Sequence, residues 1–338
     1  MGSGIWSTDV YDAAARMRAA TGTSAFAYSD SGARTVYASL DPLGVTIRES
    51  RDSDEHPQTV SIAVLFDVTG SMRGVPRVLQ QKLPGLLGLL LRKGLGAERH
   101  QGYATDPQIL FGAIGDATCD RIPLQIGQFE SDNRMDDDLG RFVLEGGGGG
   151  QQTESYELAM YFMARHTELD SFVKRGRRGY LFIIGDEMAY PTVKRSEVAE
   201  IIGDQLGEDI PTEAIVAELR RTYDVYYILP SGSSYAGSSV ILDYWRGLLG
   251  QNVLELDNLD AVCETIALTV GLGEGSTDLA GGIDDLADIG SSAATSVSTA
   301  LARLAKGTVA AGPRLPDLDL AGTGGVKRIT PHTGPAAG

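Results

Sequence analysis

Asp67, Thr69 and Ser71 stand two residues apart in the stretch TVSIAVLFDVTGSM (59–72), directly after an unbroken apolar run. One carboxylate and two hydroxyls offer oxygen donors only. Such donors suit a hard divalent cation of the Mg2+ kind, which takes octahedral oxygen ligation and keeps part of its water. A turn at a strand end lets side chains two apart converge on one point, and Gly70 permits the tight backbone path. A helix-capping turn is the competing reading, since Asp, Ser and Thr are good caps. Two other places carry oxygen donors in comparable settings. Asp186, with Glu187 beside it, follows the apolar run GYLFII, and the glycine-rich stretch EGGGGGQQTES (145–155) ends in Thr153, Glu154 and Ser155.

The elements that must position these residues are legible as a rhythm. From residue 59 the chain alternates strand and helix. SIAVLF reads as a strand buried on both faces, being continuous, apolar and rich in small and branched residues. An apolar helix is predicted over 75–93, strands over 110–116 and 123–129, and a helix over 133–144. One long helix is predicted over 155–176, then the strand that ends at Gly185-Asp186, and helices over 193–205 and 212–223. DVYYILPSG and NVLEL read as the last strands, SSVILDYWRGLLG and LDAVCETIALTVGL as the last helices. The alternation predicts an α/β fold with a doubly wound, mostly parallel central sheet flanked by helices. Ligands of such sheets bind at the carboxyl ends of the strands, where Asp67 and Asp186 fall.

Three regions follow. Residues 1–58 form an N-terminal extension: a helix capped by Ser7 or Thr8 and ended by Gly22, then a β-hairpin over 25–49 and a polar linker. Residues 59–273 form the α/β domain. Residues 274–338 are rich in Gly, Ala, Ser, Thr and Asp, with weak helices over 277–289 and 293–306 and an extended end.

Composition removes several functions. The net charge of −16 disfavours a nucleic-acid partner and favours cations as ligands. The two cysteines, Cys119 and Cys263, form no CxxC pair, and the four histidines fall in no zinc-site spacing. The Leu-rich run 83–91 is about half of a membrane span. The first twenty residues lack the apolar stretch of a secretory leader, so a cytoplasmic location with no membrane partner is expected. The five-glycine run lacks the lysine of a phosphate-binding loop. Asp116 and Asp120 read as solvated turn carboxylates, with a place behind or at the rim of the site as the alternative; Lys174–Arg178 reads as the basic end of a helix, and the aromatics of YELAMYF as core.

FDVTGSM resembles the metal-ion-dependent adhesion site of von Willebrand factor A domains, whose motif is D-x-S/T-x-S with a distant Thr and a distant Asp. Asp67, Thr69 and Ser71 match the first part, and Asp186 matches the distant Asp. The distant hydroxyl corresponds to Thr153 by residue type or to Ser155 by its distance to the following helix. The resemblance covers roughly 59–272 by element order, and the chain is similar to the cytoplasmic bacterial, archaeal and phage members. It implies a Rossmann-like fold and Mg2+ or Mn2+ held directly or through water. One coordination position would be open to the carboxylate of a partner protein. It further implies no catalysis and a role as adaptor or recruiting subunit, since relatives often work beside a MoxR-type AAA+ ATPase. Two other readings stand beside it. One is a structural subunit of a phage or other large assembly. The other is a Mg2+-dependent phosphotransferase of the haloacid-dehalogenase type with Asp67 as nucleophile, against which Thr69 stands where that family has a second Asp.

Overall fold

The structure is a computed structural model that describes residues 4–72, 74–91, 102–147 and 150–307, with the backbone alone described for Ser71 and 305–307. Its centre is β1 (Val60–Asp67), every residue of which is buried. The strands that follow in the same sheet are β2 (Pro107–Ile114), β3 (Leu124–Ile126), β4 (Gly179–Ile184), β5 (Tyr223–Pro230) and β6 (Val253–Leu256). The spatial order is β6-β5-β4-β1-β2-β3. All neighbours run parallel except β3, which is antiparallel to β2. Successive strands are laid down to one side of β1 and then, from β4, to the other. The order therefore reverses between β1 and β4, which is where a doubly wound sheet opens a crevice for a ligand.

Side chains alternate across β1, as the pleat requires. Ile62, Val64 and Phe66 enter the core on one face, and Ala63 and Leu65 the core on the other. The helices are α1 (Thr8–Thr21), α2 (Gly74–Leu91), α3 (Arg134–Arg141), α4 (Tyr156–Arg165), α5 (Thr212–Leu219), α6 (Ser239–Leu249), α7 (Val262–Glu274), α8 (Leu279–Asp288) and α9 (Ala294–Gly307). Buried residues of α1, α2, α3, α7, α8 and α9 share the first core, and those of α4, α5 and α6 the second. The doubly wound expectation holds. Ser7 caps α1 by accepting from the Val10 amide, and Gly22 ends it in the left-handed region at φ 64°. Among the described residues no helix is long and apolar enough to cross a membrane.

Three expectations are corrected. The hairpin over 25–49 is absent: Ala27–Asp30 is a helical turn, and Arg48–Ser50 pairs in parallel with Thr167–Leu169. Long-range bonds outcompete local pairing there, since the Leu40 carbonyl accepts from the Ile126 amide and the Gly44 amide donates to the Ile202 carbonyl. The long helix over 155–176 breaks after Arg165, where His166 Nδ1 lies 2.7 Å from the Val45 carbonyl and Thr167 enters the short strand. A second helix, Asp170–Arg175, follows and ends at Gly176. Over 193–205 the helix is Arg195–Glu197 continued by a π turn, Val198–Ile202. The predicted helix over 75–93 is observed to Leu91, and its last two residues lie outside the described ones.

The helices predicted beyond 274 are present and packed. Leu286, Val297 and Leu301 are fully buried in the first core; the segment after 307 lies outside the described residues. Leu301→Ala is expected to destabilise the protein by about 2–5 kcal/mol, the usual cost of emptying a buried leucine site. Urea unfolding checks this, and a loss under about 1 kcal/mol would mean that α9 only decorates the core.

Candidate metal centre

Asp67 ends β1 with no exposed surface. Its Oδ1 accepts from the Thr69 amide at 2.7 Å and the Thr69 hydroxyl at 2.6 Å, and its Oδ2 accepts from the Tyr156 phenol at 2.9 Å. The chain then makes a tight turn over Gly70–Met72. The backbone of Ser71 lies in this turn, and its side chain lies outside the described residues. The glycine-rich loop is stitched to the turn: the Gly70 amide donates to the Gly147 carbonyl at 2.8 Å, and the Gly146 amide to the Val68 carbonyl at 3.1 Å.

Asp186 follows β4 and is also fully buried, with Oδ2 accepting from the Tyr235 amide at 3.2 Å. Gly185 before it has a specific steric duty. A Cβ there would lie 2.1 Å from the Tyr156 hydroxyl, so glycine alone lets that ring reach Asp67. Tyr156 packs edge-on against Tyr227 and Trp245, which stack on each other at 4.1 Å between centroids. The Tyr227 hydroxyl and the Trp245 indole N–H both donate to the Glu187 carbonyl, at 3.0 and 2.8 Å. One aromatic trio thus supports Asp67 and fixes the Glu187–Met188 peptide, one residue past Asp186.

The loop with the distant hydroxyls meets the loop after β4. Thr153–Glu154 pairs in parallel with Met188–Ala189. Ser155, fully buried at the start of α4, accepts from the Ala117 amide at 2.9 Å, while the half-buried Thr153 neighbours the Tyr190 phenol. Asp67, Thr69 and Asp186 therefore lie at the carboxyl ends of β1 and β4, and Thr153 and Ser155 lie on the segment that pairs with the loop after β4.

Burial sets the electrostatics. Asp67 is pushed up to about 7, first by loss of water and then by the Asp186 charge, against the opposing bonds from Thr69 and Tyr156. Burial pushes Glu187 up to about 8, helped by Asp67, Asp186 and Asp116. Glu154 rises to about 10, again through burial and then through Asp67, Glu187, Asp116 and Asp120. Glu154 Oε2 and Glu187 Oε2 are buried without a hydrogen-bond partner among the described residues. Crowded, dry carboxylates with spare oxygens fit a divalent cation, whose charge offsets their repulsion. Among the described residues no three His, Cys, Asp or Glu side chains converge as a ready-made metal cage; the candidate donors are two carboxylates and hydroxyls.

Several of these residues escaped the sequence reading. Tyr156 reads as core by type; the glycine between an apolar strand and Asp186 was the one sign of a close approach. Asp116 reads as a solvated turn carboxylate, yet it is fully buried and caps its own turn through Thr118. Glu187 reads as an outer or exposed residue, and it too is buried. The basic run is spent on ion pairs, Arg175 with Asp52, Arg177 with Glu274 and Arg178 with Asp224.

No family model and no curated protein matches the chain. Among solved structures it is similar to proximal thread matrix protein 1 from the mussel byssus, at 11% identity over 70% of this chain and 47% of that one, with a TM-score of 0.39. The form of that protein with a zinc-occupied MIDAS motif aligns at 12% identity over 63% and 47%, TM-score 0.37. A von Willebrand factor type A structure from Catenulispora acidiphila aligns at 11% over 64% and 43%, TM-score 0.36. The chain spans about half the length of these structures. The fold assignment rests on the strand order and the layers described above.

The raised carboxyls set a pH dependence. Without metal, the folded protein holds protons that the unfolded chain releases above the ordinary carboxylate range of about 4. The associated stability is complete below that range and is lost as pH rises through about 7, 8 and 10, the values of Asp67, Glu187 and Glu154. In chelator, the melting temperature is expected to fall between about pH 5 and 8.5, and Mg2+ or Mn2+ to restore it more at the upper end. Thermal melts across pH check this; a flat profile would speak against the crowded site.

Proposed function

We propose that the chain is a metal-dependent protein-interaction module of the von Willebrand factor A type. The observation that carries this reading is the placement of two buried aspartates, Asp67 and Asp186, at the carboxyl ends of β1 and β4 on either side of the strand-order reversal. Asp67, Thr69, Ser71, Asp186 and a hydroxyl from Thr153 or Ser155 would hold Mg2+ or Mn2+, some through water. The bound cation supplies a positive centre to which the carboxylate of a partner protein can bind. The protein's own part is to hold the oxygens in place. Thr69 orients Asp67 Oδ1, Tyr156 orients Oδ2, and the Tyr235 amide orients Asp186.

The proposed role is that of an adaptor or recruiting subunit in an intracellular complex, binding rather than catalysing. A MoxR-type AAA+ ATPase is the partner class that the resemblance suggests. Thr69 donates to Asp67 where a phosphotransferase of the haloacid-dehalogenase type would carry a second carboxylate. The free thiols of Cys119 and Cys263 suit a reducing cytoplasm.

Calorimetric titration of Mg2+ and Mn2+ into wild type and Asp67→Asn tests the proposal. Asn keeps the volume of Asp67 and removes its charge. The variant is expected to stay folded and to lose cation affinity by at least about 100-fold, and with it any chelator-sensitive partner capture. Equal affinity in the two proteins would sink the proposal.

A further inference from the structure

Three loops frame the candidate centre: the one after β2, the glycine-rich one before α4, and the one after β4. Tyr190 touches all three. Its phenol donates to Asp116 Oδ2 at 3.0 Å and lies 3.2 Å from the Thr118 hydroxyl. It also receives Gln151 Nε2 at 3.4 Å, and that amide donates to the same Asp116 oxygen. Thr153 neighbours the phenol as well. The Ala117 amide, one residue past Asp116, donates to Ser155. Both candidates for the distant hydroxyl are therefore tied to this knot.

Tyr190 is itself held from every side. Its amide donates to Glu157 Oε2 at 3.0 Å, its carbonyl accepts from the Thr212 hydroxyl at 2.6 Å, and Lys194 Nζ sits 5.2 Å from its ring centroid. Glu157 is the unusual member. It is fully buried on α4, and its Oε1 has no hydrogen-bond partner among the described residues. A buried carboxyl with one unsatisfied oxygen is costly, and folds tolerate such violations mainly at functional sites.

We propose that Tyr190 is a positioning residue of the metal centre. Its phenol holds Gln151, Thr153 and, through Asp116 and Ala117, Ser155 at the place from which a hydroxyl reaches the cation. Glu157 fixes the backbone from which the phenol acts. This rests on the metal-dependent module proposed above. The loop it restrains is glycine-rich, so its free state has a high conformational entropy. Without the phenol, the cation must order that loop at its own expense. Groups that orient metal ligands from behind typically change affinity by about 10–100-fold.

Tyr190→Phe removes only the phenol oxygen and keeps the ring, the Lys194 contact and both backbone bonds. Hydrogen exchange of the metal-free protein and calorimetry with Mg2+ and Mn2+ would be measured together. The expected result is faster exchange confined to 116–120 and 150–155, a melting temperature close to wild type, and affinity lower by about 10–100-fold. Unchanged exchange, or equal cation affinity in the two proteins, overturns the inference alone. A wild-type protein that takes up neither cation overturns the proposed function, and this inference with it.

Discussion

A carboxyl with no exposed surface at the end of a buried strand is the constraint from which the rest of this structure can be read. Every residue of β1 is buried, so its last residue, Asp67, is delivered into a dry place. Removing a carboxylate from water is expensive unless hydrogen bonds or a counter-charge offset it. Thr69 turns back to bond it twice, and the Tyr156 phenol rises from α4 to bond it a third time. That phenol needs the missing side chain of Gly185, and its ring needs Tyr227 and Trp245 around it. Sheet, helix and loops on this edge are organised around one oxygen pair.

The same edge is crowded with further carboxyls, of which Glu154 and Glu187 each keep a buried oxygen without a hydrogen-bond partner among the described residues. Asp186, Glu187 and Glu154 raise the proton affinity of their neighbours or are raised by them. A proton and a divalent cation are alternative remedies for this repulsion. In the proposed metal module the two would compete, which would link metal loading to pH without any separate switch.

How much of this was legible in the sequence depends on the range of the interactions. The central strands were readable because full burial writes a continuous apolar run, and the Asp67-Thr69-Ser71 turn because its spacing is local. The order of elements carried the doubly wound sheet. Neither the role of Tyr156 nor the burial of Asp116 was readable, because each depends on a partner far along the chain, Asp67 at 89 positions for Tyr156 and Gln151 at 35 for Asp116. The failed hairpin at 25–49 has the same cause: its backbone groups are claimed by Ile126 and Ile202. The break at His166 is a third case, since nothing in the helical pattern of 155–176 shows that Val45 will be waiting.

The outer strands of the sheet have a consequence for how the molecule meets others. β3 is only three residues long, and the Leu40 carbonyl already takes its Ile126 amide; α9 lies against β6 at the opposite border. Long, bare border strands invite a neighbouring chain to extend the sheet, and native folds blunt them by shortening or covering them. This chain does the first at β3, where the outer amide is also occupied. Growth by strand addition at that border, the route to swapped dimers and fibrils, is thereby discouraged.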